Sequence, residues 1–164
     1  MANVGVHIPV AVFTDEEALA FLTARTGRAD ADGARKLSSE LGWLPLALAQ
    51  ASAVIKAQHL DYAVYLDRLR TMPVKKLLGP VEAGQYPHGL VAAVLLSLDG
   101  VQSADDAGIC GAVMDLISVL SSAGIPRAFL QAAGNCAAFG IRAVPPDEVD
   151  DALARLAGSS LLTF

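Results

Sequence analysis

The fold turns on Gly42-Trp43-Leu44-Pro45-Leu46-Ala47-Leu48-Ala49. Gly42 suits a helix end, because a residue without a Cβ enters the left-handed conformation at little cost. Pro45 suits the first turn of the next helix, where its missing N–H is not needed and its φ is already helical. The stretch predicts a tight helix-to-helix corner with Trp43, Leu44 and Leu46 packed at the bend. Such a corner holds a proline ring at a fixed height, either against a neighbouring helix or against a flat ligand. Packing alone is the plainer reading of these eight residues.

Upstream, Ala34 to Leu41 predicts the helix that the corner ends, after a polar, turn-like segment from Arg28 to Gly33. Before that, Thr14-Asp15-Glu16-Glu17 has the form of a capping box and opens a helix from Asp15 to Thr26, stopped by Gly27. The first residues, Val4 to Phe13, alternate and are rich in β-branched side chains, which predicts a strand. Pro9 restricts that strand to an edge or a bulge.

Downstream, the helix opened by Pro45 runs to about Gln58 and is apolar on nearly every side, so it is expected to be buried on several. Asp61 can cap a fourth helix, Tyr62 to about Arg70, with Tyr62, Tyr65, Leu66 and Leu69 on one face. Proline and glycine then mark a linker. Further helices are expected from Tyr86 to Leu98, ended by Gly100; from Asp105 to Leu120; from Pro126 to about Ala132; and from Asp147 to about Leu156. Leu161 to Phe164 reads as a short strand. Three helices followed by a strand are the parts of a winged helix whose wing is incomplete. The expected fold is therefore mainly α. Residues 1–13 form a short strand, 14–72 a four-helix domain, 73–85 a linker and 86–164 a partial winged-helix domain.

Composition limits the function. Hydrophobic residues make up 54% of the 164 and charged residues 18%, an excess of apolar surface that implies a face meant to be covered. Apolar runs fall short of a membrane span, and the reading is of a soluble, cytoplasmic protein without a membrane partner. The net charge of −5 and the dispersed basic residues argue against nucleic acid as the main partner. Cys110 and Cys136 lie among apolar residues, which predicts buried thiols, and three scattered histidines without a C-x-x-C pair give a zinc site no support. The Ser121-Ser122 and Ser159-Ser160 pairs lack a histidine or acid at a catalytic spacing. The acidic group Asp147, Glu148, Asp150 and Asp151 is explained by its place at a helix start.

From about Val10 onward the chain resembles the part of STAND-type signalling ATPases, the NB-ARC group, that follows the nucleotide-binding core, especially in bacterial members with tetratricopeptide repeats. The resemblance rests on Val12-Phe13-Thr14-Asp15-Glu16-Glu17-Ala18 with Phe21-Leu22 and Arg25-Thr26-Gly27. It continues through the Gly42 to Ala51 stretch, which looks like the family's Gly-Leu-Pro-Leu-Ala-Leu motif, and Tyr62-Ala63-Val64-Tyr65-Leu66. The Tyr86-Pro87 helix start, Gly124 to Leu130 and Leu153-Ala154-Arg155-Leu156 look like its winged-helix domain. The resemblance implies that Pro45, flanked by Leu44 and Leu46, lies over an adenine base. Trp43 replaces the family's usual aliphatic residue.

The chain departs from the family where the chemistry is done. It has no G-x-x-x-x-G-K-[ST] loop and no apolar strand ending in paired acids, so the groups that hold a triphosphate and Mg²⁺ are missing. The family's phosphate-contacting histidine has no counterpart in His59 or His88. The expected role is thus a non-enzymatic regulatory segment with no cofactor of its own. In its parent, ADP or ATP with Mg would sit on a P-loop domain of the same chain. Homo-oligomerisation is possible, with Val4 to Val12 pairing with a neighbouring chain. The alternative is a free-standing helical adaptor or a winged-helix DNA-binding regulator reading DNA through Arg127 and Gln131.

Overall fold

The computed structural model describes residues 11–73, 88–120 and 124–163. Among them the chain is helical, with eight helices and no strand. These are α1 (Asp15–Thr26), α2 (Ala31–Glu40), α3 (Pro45–Ala57), α4 (Tyr62–Thr71), α5 (His88–Ser103), α6 (Ile109–Ser118), α7 (Arg127–Asn135) and α8 (Pro146–Gly158).

The first helix begins and ends where its local signals place it. The Thr14 hydroxyl accepts from the Glu17 N–H at 3.2 Å, while the Glu17 carboxylate accepts from the Thr14 N–H at 2.8 Å. Gly27, with φ of 71°, closes the other end. α2 starts earlier than its apolar spacing suggested, because the Asp30 side chain accepts from the Gly33 N–H at 2.9 Å and caps a helix opening at Ala31. Asp61 precedes α4 but makes no cap bond; its carboxylate pairs instead with Arg28.

The central helix α3 carries buried residues on all sides, including Ala47, Leu48, Ala51, Val54 and Ile55. Against it pack α1, α4 and α5, and the resulting core contains Leu22, Leu37, Leu41, Tyr62, Tyr65 and Leu69. The Tyr62 hydroxyl lies 2.8 Å from that of Thr26, which itself donates to the Leu22 carbonyl, so Tyr62 is the donor in this chain. A second core holds Val113, Leu130, Val144, Val149, Leu153 and Leu156 from α6, α7, α8 and the loop between the last two.

α5 belongs to both. Ala92, Ala93 and Leu96 lie in the first core and Val101 in the second. It does not end at Gly100, as expected, but continues to Ser103. A Cβ at Gly100 would stand 3.3 Å from Gln58 Nε2, so the glycine there admits the end of α3 and does not stop a helix.

α6 starts at Ile109, later than the expected Asp105. Asp105 folds back under the helix, accepting from the Cys110 N–H at 2.7 Å, and Gly108 makes the turn at φ of 68°. Pro126 stands just before α7 and Pro146 opens α8. Residues 161–163, expected to enter a strand, form none, since a strand requires a partner and none lies beside them among the described residues. Of the expected N-terminal strand, only residues 11–13 are described, and they too are irregular. The linker beyond residue 73 and the Tyr86-Pro87 helix start lie outside the described residues.

Candidate functional site

The corner between α2 and α3 is built largely by the backbone. The Gly42 N–H donates to Ser39 O at 3.2 Å and the Trp43 N–H to Ser38 O at 2.9 Å, the paired bonds of a Schellman cap. Gly42 has φ of 64°, and Trp43 follows at 52°, a conformation that costs a residue with a side chain about 1–3 kcal/mol. Trp43 is held there from both directions. Its indole packs against the first core, and its carbonyl accepts from the Phe13 N–H at 2.9 Å. Phe13 in turn meets Phe21 with ring centroids 5.4 Å apart.

On this base, Leu44 is half-buried against the core and Pro45 occupies the first position of α3, also half-buried. Leu46 projects outward and is 56% exposed. Val12, one residue from the Phe13 amide, is 50% exposed. The three sequence-nominated residues are therefore contiguous but unequal: Leu44 packs on the core and Pro45 is half-buried beside it, while Leu46 is the exposed apolar edge.

Elsewhere the sequence reading missed the polar residues that join the two cores. Gln50 is 2% exposed, and its amide N–H donates to the Ser160 carbonyl, at the end of α8. Arg25 donates to Ser52 Oγ at 3.3 Å and Ser160 Oγ at 3.0 Å while lying 5.5 Å from the Phe21 ring centre. Ser160 itself has φ of 56°. The signal available was a glutamine and a serine inside an otherwise apolar helix, which must find partners when buried.

The side chains nominated for DNA readout are both engaged. Arg127 Nε and Gln131 Nε2 donate to the same Asp150 oxygen, at 2.6 and 2.9 Å. The bond to Arg127 holds the Asp150 carboxyl below its ordinary range. Reaching DNA would require both to leave an established carboxylate partner.

The cysteines differ. Cys110 is buried, and burial, reinforced by Asp105, pushes its thiol up to about 11, so it stays protonated at neutral pH. Cys136, expected to be buried, is exposed, because it follows the last turn of α7 on the side away from the core. Among the described residues, no group of three or more His, Cys, Asp or Glu side chains is placed to hold a metal ion, and no helix is long and apolar enough to cross a membrane. No family model, no curated protein and no solved structure matches the chain.

Proposed function

We propose that this chain is the non-catalytic regulatory segment of a STAND-type P-loop ATPase. In this reading a four-helix unit and a winged-helix unit close over ADP or ATP, with Mg, on a nucleotide-binding domain of the same chain and act as a conformational switch in signalling. The observation that supports it is the corner: a proline ring at the start of a buried helix, with Leu46 exposed beside it and the backbone beneath held by capping bonds. An apolar edge of this kind packs on a purine face without stripping water from a polar group. Pro45 and Leu46 would make the contact, and Leu44 would hold them at height.

The switch needs ADP and ATP to bind its closed and open states unequally, since equal affinity shifts no population. In a protein where this chain is joined to its P-loop domain, Pro45→Ala is expected to speed ADP dissociation by about tenfold, equivalent to about 1.4 kcal/mol of lost contact. Stopped-flow release of a fluorescent ADP analogue measures it, and an unchanged rate would overturn the assignment. The DNA-binding alternative is weakened by the hold of Asp150 on Arg127 and Gln131.

A further inference from the structure

Where the two cores meet, a groove runs between α3, α5 and the end of α8. It has two adjoining parts, of about 410 and 460 Å³, which share Ala53, Ala57 and Gly158. Gly100 and Ala104 of the α5 side widen the first part, so small residues make most of its floor. Into that floor is set Ser97, 1% exposed, whose hydroxyl has no hydrogen-bond partner among the described residues. A buried hydroxyl left unpaired is costly, and its position on a groove wall offers the missing partner a place.

The charge at the rim has one sign. Arg155 lines the first part, and Arg25 and Lys56 line the second; neither part is lined by an Asp or Glu among the described residues, although the chain as a whole is acidic. Arg155 makes a long ion pair with Asp105 at 3.9 Å, and both border a separate depression with Asp106, Glu148 and Asp151. The Arg155 side chain is 53% exposed and lines the groove as it stands. The groove lies at the far end of α3 from Pro45, about 12–18 Å along the helix axis, so it is distinct from the corner.

We propose that this groove binds a small organic anion: a compact aliphatic body on the Ala and Gly floor, a polar group paired with the Ser97 hydroxyl, and a carboxylate or phosphate met by Arg155 and Lys56. Such a ligand touches α3 and α8 at once, and so tightens the joint between the two cores.

The test is a titration of the isotopically labelled full chain, followed by amide chemical shifts, with three probes: 3-hydroxybutyrate, glycerol 3-phosphate and inorganic phosphate. Saturable shifts at Ala53, Ala57, Gly100 and Gly158 are expected with one of the two organic anions, and which one responds identifies the charged group. Arg155→Gln and Lys56→Gln, both at exposed positions, should each weaken binding by about tenfold, and Ser97→Ala by several-fold. No saturable shift with either organic probe would overturn the proposal. So would equal binding of inorganic phosphate, or affinity unchanged in all three variants.

Discussion

The two cores of this protein differ in how their helices begin. In the first, helix ends carry their own instructions: Thr14 and Asp30 cap α1 and α2 with their side chains, and Gly27 and Gly42 close helices in the left-handed conformation. Large side chains, among them Tyr62, Tyr65, Leu48 and Ile55, are then wholly buried in the interior. In the second, the residues just before α6, α7 and α8 make no side-chain cap bond, and α6 is supported instead by the more distant Asp105, whose carboxylate accepts from the Cys110 N–H. Left-handed residues that carry side chains occur in both, Trp43 and His59 in the first and Ala137 and Ser160 in the second. Close approach acts in both: in the first, a Cβ on Gly89 of α5 would fall 2.5 Å from Glu40 O at the end of α2. A Cβ on Gly134 would fall 2.8 Å from Val149 Cγ2 and 2.9 Å from Val144 O. The first core thus carries N-cap side-chain bonds at α1 and α2 where the second relies on the longer reach of Asp105, and both are fixed where a glycine lets two elements come near.

Three measurements sharpen that contrast. The largest effect is expected from Leu48→Ala, at a wholly buried position, which should cost about 2–5 kcal/mol in denaturant unfolding. Hydrogen exchange should then rise in α1 to α4 and the first half of α5 while α6 to α8 keep their protection. Equal loss of protection throughout would show that α5 couples the cores into one cooperative unit. Gly134→Ala should cost about 1–3 kcal/mol by overpacking and leave α1 to α4 protected. A neutral result would mean that α7 and α8 can separate without penalty.

The smallest effect tests the local devices. Thr14→Ala should lower stability by about 1 kcal/mol at neutral pH. The Thr14 N–H and, next, its hydroxyl hold the Glu17 carboxyl below its usual range. A lowered folded-state value stabilises the fold above the unfolded glutamate range, and that contribution is lost as pH falls through the lowered value. The difference between wild type and Thr14→Ala should therefore shrink on acidification, as read by unfolding at a series of pH values; a constant difference would remove the Thr14 hydroxyl from the hold on Glu17 and leave only the backbone N–H.

Much of the helical pattern was legible beforehand because its causes are short-range. The limits of α1 follow from Thr14, Glu17 and Gly27, and the start of α3 from Pro45, all within a turn of the residues they control. The buried face of α4, with Tyr62, Tyr65, Leu66 and Leu69, follows from helical spacing alone. The errors have the opposite character. Gly100 looked like a stop until Gln58 of another helix was seen beside it, and Asp61 looked like a cap until Arg28 claimed it. Asp105 looked like the first residue of a helix whose amide it instead supports from beneath. Pro45, Leu44 and Leu46 were identifiable as a corner, yet only the tertiary structure leaves Leu46 exposed and Leu44 and Pro45 half-buried.

Chain order was therefore enough to say that this is a mainly helical protein, where most of its helices begin, and which faces they bury. It could not say that Gln50 and Arg25 would meet Ser160, that Arg127 and Gln131 would share Asp150, or that Ser97 would line a groove rimmed by Arg155. A cap depends on groups three or four residues apart, whose separation the helix itself sets. The meeting of Gln50 with Ser160 spans 110 residues, and its geometry exists only after both cores have packed against α5.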